Sequence, residues 1–233
     1  MNQSFRPDCP VFDAIRAAIP ESVALAGGSI RHIPTSPFAK ETQAVVRAVE
    51  KRRREFFAGR HYARAAMAQL GMDPVPIAVL PSRAPDWPRG LTGSISHCED
   101  VCVAVVAAKS VFAGIGIDVE LSVPLPVELH ATVCDSSEIE ASGSASCSVD
   151  QAKLLFVVKE SFFKLYHPLT DHFLDFTDVA VRLDLARGTF NLEVLDGSPA
   201  LFGRRSFDGV WGHAGAYCFA FVALCEMFNA NSA

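Results

Sequence analysis

The sequence predicts an α+β fold built as a pseudo-twofold pair of similar lobes with a cleft between them. Three observations predict it. A helical pattern over Lys40–Leu70 is followed by alternating stretches, and a second over about Asp150–Tyr166 is followed by alternating stretches again. Between them lies Gly114–Glu120, where apolar and acidic residues alternate with the period of a strand. A long helix followed by strands thus occurs twice, which places helices and sheet in segregated layers. The implied division is an N-terminal lobe over 1–113 and a C-terminal lobe over 114–233. No close internal repeat accompanies it, so the duplication rests on element order alone.

Composition bounds the rest. The chain has 233 residues, 50% of them hydrophobic, enough for a real core. A net charge of −5 argues against a nucleic-acid partner. Positive charge is nevertheless bunched at Lys51, Arg52, Arg53, Arg54, Arg60 and Arg64, a candidate local anion site. The seven cysteines are odd in number and form no CxxC pair, which speaks for buried free thiols in a reducing cytosol and against a disulfide framework or zinc knuckle. The start of the chain, with Pro7, Asp8 and Pro10, lacks the layout of a signal peptide. The runs Val101–Ala108 and Ala216–Cys225 are too short to span a bilayer. The expectation is a cytoplasmic protein with no membrane partner, and a monomer, because a two-lobed chain builds its own cleft.

The elements follow in order. Val11–Ile19 reads as a short helix ended by Pro20, and Ser22–Ala26 as a strand turned by Gly27-Gly28. Lys40–Leu70 reads as one helix with Gly71 as its C-cap; Gly59 inside it allows a bend or a close approach. Arg53, Arg60 and Arg64 share a face of that helix. A solvated basic face is the usual fate of such a run; the functional reading is a phosphate clamp, since guanidinium forks match phosphate oxygens. Asp73–Gly90 is a proline-rich connector with an edge strand at Ile77–Leu80, anchored by Trp87. Leu91–Ala108 is a hairpin turning at Glu99-Asp100, with His97 beside the turn. His97, Cys98 and Cys102 make only a weak metal pattern, lacking a fourth ligand.

Asp118 and Glu120 then project together from one face of a strand, because residues i and i+2 point the same way. Such close like charges call for a cation, and Mg²⁺ is usually held by one or two carboxylates plus substrate phosphates. Leu121–Val149 is proline-bearing and then rich in small polar residues through Ala141–Ser146, which reads as a mobile loop suited to docking a partner. In the helix after it, Leu154, Leu155, Val158, Phe162 and Leu165 form a core-facing stripe. Lys153, Phe156, Glu160, Lys164 and His167 lie on another face. Glu160 and Lys164 are a favourable i,i+4 pair. A lone pair of this kind is most simply a solvated flank, but behind an acidic strand a third carboxylate and two lysines complete a metal and phosphate site. Pro168 ends the helix. Val179–Leu185 and Thr189–Leu195 form a hairpin, and Trp211–Cys225 holds the last strand.

The motifs Arg53-Arg54-Glu55-Phe56 with Gly59-Arg60, Trp87-Pro88 with Gly90, Gly93-Ser94-Ile95-Ser96-His97-Cys98, Gly116-Ile117-Asp118-Val119-Glu120, and Lys159-Glu160-Ser161 with Lys164 stand in one order over roughly Arg52 to Thr170. In this the chain resembles the two-lobed 4′-phosphopantetheinyl transferases, and among them the enterobactin-synthase component D branch. The resemblance implies transfer of the phosphopantetheine arm of coenzyme A to a serine of an apo acyl or peptidyl carrier protein, with release of adenosine 3′,5′-bisphosphate. It implies that Asp118, Glu120 and Glu160 hold Mg²⁺, and that Glu160, Lys164 and Asp118 are the catalytic set, with Glu160 a candidate base. The coenzyme A contacts it implies are Arg53 or, in the alternative register, Arg52, together with Arg60, Arg83, Ser96, His97, Lys159 and Lys164. Val157 stands where the family often has Ser, and before Trp87-Pro88, where the family usually offers a lysine or arginine, the nearby basic residue is Arg83. Two other readings of the same residues are a Mg²⁺-dependent nucleotide phosphohydrolase and a non-enzymatic coenzyme A or carrier-binding module. The branch leans towards secondary metabolism, with fatty-acid, polyketide and siderophore carriers all open.

Overall fold

The computed structural model describes residues 9–141 and 148–226. The expected loop over Ala141–Ser146 falls almost wholly outside the described residues, as do Pro7 and Asp8. In chain order the elements begin with α1 (Pro10–Ala18), β1 (Ala24–Ser29), α2 (Ala39–Ala44), α3 (Glu50–Gln69), β2 (Ala78–Val79) and β3 (Pro85–Asp86). There follow β4 (Leu91–Cys98), β5 (Val101–Ala108), β6 (Phe112–Leu121), α4 (Val127–Val133), α5 (Ser136–Ala141) and α6 (Gln151–Thr170). The chain closes with β7 (Val179–Asp184), β8 (Thr189–Val194), β9 (Ser206–Ala214) and β10 (Tyr217–Cys225).

The two larger sheets are antiparallel. One runs β1-β5-β4, the other β6-β10-β9-β8-β7. They meet where β4 lies against β6, and the join is made by side chains: Ser94 Oγ accepts from Ile117 N at 3.1 Å and Ser96 Oγ from Val119 N at 3.2 Å. Serines two apart on one strand thereby satisfy amides two apart on the next. Alternation then sorts the core. Odd-numbered Val101, Val103, Val105, Ile115, Ile117, Val119, Phe219 and Phe221 pack with Val11, Phe12 and Ile15 of α1. On the other side, Cys102, Ala104 and Val106 pack against α3, while Cys218, Ala220 and Val222 pack against α6. Both 20-residue helices therefore lie on the same side of the joined sheets, with room between them.

Several boundaries differ from expectation for local reasons. Gly27 and Gly28 do not turn the chain; they pair with Val103 and Cys102 inside β1. A Cβ there would strike the Phe12 ring at 2.1 Å or Tyr62 Oη at 2.4 Å, so glycine serves close packing. The helix expected over Lys40–Leu70 is broken at residues 45–49. Val45 tucks against Phe56 and Phe57, whereas Val46 and Val49 are exposed. Gly59 marks a close approach, its missing Cβ leaving 3.0 Å to Ile95 Cγ2 on β4. Pro168 does not stop α6, which runs on to Thr170 and closes with Asp171 N donating to His167 O. The expected last strand is a hairpin turning at Gly215-Ala216. Helices α4 and α5 occupy a stretch that read as loop. Of the described cysteines, all free, Cys102 and Cys218 are buried but Cys225 is exposed.

Candidate active site

The face of β6 that carries Asp118 and Glu120 begins with Gly114 and Gly116. A Cβ on Gly116 would lie 1.9 Å from Ser161 O, and one on Gly114 2.7 Å from Leu169 Cδ1. Gly116 thus lets the backbone of α6 seat directly on the strand, and Gly114 makes room for the Leu169 side chain. Helix and strand run in opposite senses, so the later part of α6 covers the glycines. Glu160 and Lys164 come beside Asp118, and Lys153 beside Glu120.

Asp118 is only 5% exposed. Its Oδ1 accepts from Ser96 Oγ at 2.7 Å and from Lys164 Nζ at 2.6 Å. Its Oδ2 is buried with no hydrogen-bond partner. Glu120 Oε2 accepts from Cys98 Sγ at 3.4 Å and faces Lys153 Nζ at 3.7 Å. Burial, then the Asp118 charge, pushes the Glu120 carboxyl above its usual range, against the pull of Lys153. Burial and Asp118 raise Glu160 in the same way, with Glu120 adding to the rise and Lys164 opposing it.

The three carboxylates are therefore close enough to feel one another. They do not meet around one point: among the described residues no three His, Cys, Asp or Glu side chains form a closed metal-holding group. Lys164 is seated on Asp118 instead. The donor set still fits a hard divalent cation. It is all oxygen, it includes an orphaned buried carboxylate oxygen, and burial, then the neighbouring carboxylates, disfavours the charged forms of Glu120 and Glu160.

A cleft of about 250 Å³ opens between α3 and α6 next to this row. Arg52, Glu55, Arg60, Arg83, Trp87 and His97 line it from the first half of the chain, and Phe163, Lys164 and His167 from the second. Arg60 is fixed, its Nε donating to Ile77 O at 3.0 Å and its Nη2 to Ala78 O at 3.4 Å, with the guanidinium 4.3 Å above the Phe56 ring. Burial lowers its pKa to about 10, so it stays cationic at neutral pH. Arg52 Nη1 lies 3.3 Å from His97 Nε2 and 3.6 Å from Glu55 Oε2. Burial pulls His97 below its ordinary value, with Glu55 opposing, so the ring is neutral at pH 7 and its Nε2 can accept from Arg52. Arg83 reaches the cleft from the turn between β2 and β3. A larger cavity, about 730 Å³, lies among β7, β8 and β9. Its charged lining is Arg182 with Asp184 and Asp208, one cation against the four, Arg52, Arg60, Arg83 and Lys164, that line the cleft.

Four residues expected at the phosphates lie outside the cleft lining or are engaged elsewhere. Arg53 lies outside the cleft lining, and Arg52 takes its place because one helical step swings the side chain about 100°. Arg64 is consumed by Glu41, which is fully buried and also accepts from Ile77 N at 2.7 Å. Ser96 is spent on Val119 N and Asp118, so it positions the carboxylate and does not face the cleft. Lys159 turns into a buried node, donating to Val133 O at 2.8 Å, Glu138 Oε2 at 2.8 Å and Phe176 O at 3.0 Å. All three of its ammonium hydrogens are used there. Residues that sequence reasoning passed over are Glu41, Glu55 and Glu138. The Ser94-x-Ser96 spacing was the visible signal for the join.

Comparison with known proteins completes the picture. Residues 40–107 match the model of the 4′-phosphopantetheinyl transferase N-terminal domain, and residues 114–220 that of the 4′-phosphopantetheinyl transferase superfamily. The 4′-phosphopantetheinyl transferase Svp of Streptomyces mobaraensis is 40% identical over 84% of this chain and 83% of its own. The 4′-phosphopantetheinyl transferase Npt of Nocardia iowensis is 36% identical over 78% of this chain and 87% of its own. Enterobactin synthase component D of Salmonella typhi is 30% identical over 76% and 74%. Among the described residues, no helix is long and apolar enough to cross a membrane. With both domain models matched in sequence and two relatives similar over most of their length, the chain belongs to the 4′-phosphopantetheinyl transferases.

Proposed function

We propose that the protein moves the 4′-phosphopantetheine moiety of coenzyme A onto a serine hydroxyl of an apo acyl or peptidyl carrier protein, with Mg²⁺, releasing adenosine 3′,5′-bisphosphate. The observation that carries this reading is the meeting at Lys164 of a cationic cleft with a row of three carboxylates, one of whose buried oxygens has no hydrogen-bond partner. The lobe over 1–113 supplies Arg52, Arg60, Arg83 and His97 to the nucleotide phosphates. The lobe over 114–233 supplies the reacting end. The protein acts as a monomer in the cytoplasm.

The chemistry follows from where these groups lie. A new bond forms between the serine oxygen and the β-phosphorus, and the bond from that phosphorus to the bridging oxygen breaks. Charge grows on the leaving phosphate and the non-bridging oxygens. Lys164 Nζ, at the boundary between cleft and acid row, is placed to neutralise it. Asp118, Glu120 and Glu160 are the residues that would hold Mg²⁺, which when bound supplies further charge neutralisation at the pyrophosphate. Glu160, beside Asp118 and Lys164, is the candidate to take the serine proton. Arg60, held by two carbonyls, orients the donor without having to be ordered by it.

Incubation with coenzyme A, Mg²⁺ and a panel of purified apo carriers tests the reading. A mass gain of one phosphopantetheine arm on a carrier is expected, and comparison of fatty-acid, polyketide and siderophore carriers identifies the preferred one. Release of free phosphate or phosphopantetheine with every carrier left unmodified would replace transfer by hydrolysis.

A further inference from the structure

Lys153 is not needed by the reaction as described above, yet it sits in a costly place. It lies in the first turn of α6, at the positive end of the helix, where a cation is disfavoured. Its side chain is only 8% exposed, so its charge is largely stripped of water. Its Nζ faces Glu120 Oε2 at 3.7 Å and lies 5.3 Å from the Phe156 ring centre. At the other end of the acid row Lys164 Nζ holds Asp118 Oδ1 at 2.6 Å. Three carboxylates flanked by two ammonium groups leave one net negative charge, where three carboxylates alone would leave three.

We infer that Lys153 is a positioning residue that acts as a built-in counter-ion for Glu120 and competes with the divalent cation for it. It keeps the acid row folded before loading and sets how tightly the row takes the metal. The inference rests on the assignment of Asp118, Glu120 and Glu160 as the metal-holding set. Removing the competing charge makes the row bind a dication more tightly while the metal-free protein becomes less stable.

The test uses Mn²⁺ alone as probe, titrated into the full chain and read by the electron paramagnetic resonance of free Mn²⁺, with no coenzyme A or carrier present. Lys153→Met and Lys153→Gln are expected to bind Mn²⁺ on the order of tenfold more tightly than the unsubstituted protein. Their metal-free melting temperatures fall, and saturating Mn²⁺ recovers the loss. Lys153→Arg keeps the charge and binds as the unsubstituted protein does. Unchanged or weaker Mn²⁺ binding in both neutral variants overturns the inference, provided Asp118→Asn still lowers affinity. If Asp118→Asn leaves affinity unchanged as well, the metal assignment falls and the inference with it.

Discussion

The two halves of the molecule hold their charges in opposite ways. In the first half the cations are finished: Arg60 is tied to the carbonyls of Ile77 and Ala78, and Arg64 to the fully buried Glu41. In the second half the acid row of Asp118, Glu120 and Glu160 is unfinished. Asp118 Oδ2 has no partner, and Glu120 and Glu160 are pushed up by burial and by their neighbours. Of the two arginines, Arg60 lines the cleft, and a guanidinium fixed in this way can receive an anionic ligand without rearranging. A row of buried, crowded carboxylates is instead a place that suits a cation. Substitutions should therefore cost the first half stability and the second half activity.

The largest effect sharpens that contrast. Glu160→Ala should lower the rate of carrier modification on the order of 10³-fold, the range expected for loss of a general base. Its melting temperature should equal or exceed that of the unsubstituted protein, because a repelled carboxylate is gone. Next, Gly116→Ala should break the rule that the second half is cheap to alter. Its new methyl meets a backbone oxygen that cannot yield, and urea unfolding should report a loss of about 3 kcal/mol or more. Glu41→Gln removes a charge from the first half; stability should fall by about 2 kcal/mol while the rate at saturating coenzyme A changes little.

The smallest effect is in pH. The raised carboxyls of Glu120 and Glu160 mean the folded state binds protons more tightly than the unfolded chain. Their contribution is thus full below about pH 4.5, the ordinary glutamate value, and is lost as pH rises through the raised folded values. Melting temperatures measured across that range without metal should show this fall, and Glu120→Gln should reduce it. Added Mg²⁺ should reduce it too.

Much of this arrangement was legible in the residues. Alternation from Gly114 to Glu120 placed both acids on one face of a strand, and the stripe through Leu154, Val158 and Phe162 set the inner face of α6; Phe162 is fully buried. What sequence could not give was direction around a helix to within one residue. Lys159 and Glu160 are neighbours in the chain, yet one enters a buried node with Glu138 and the other lies near Asp118. Arg52 and Arg53 divide in the same way. Helices α4 and α5 were missed because they are short and their hold is tertiary: Glu138 accepts from Val181 N at 2.8 Å, across 43 residues of sequence. Gly27-Gly28 misled because packing against Phe12 and Tyr62, not a turn, requires them.

The central claim is that the first half is ready for its ligand while the second needs a divalent ion to work. The most direct measurement strips the protein with a chelator, adds coenzyme A and an apo carrier, and follows the carrier's intact mass before and after Mg²⁺ is restored. The account predicts an unmodified carrier until Mg²⁺ is added, then prompt gain of the phosphopantetheine arm. Modification at full rate in the presence of the chelator would contradict it.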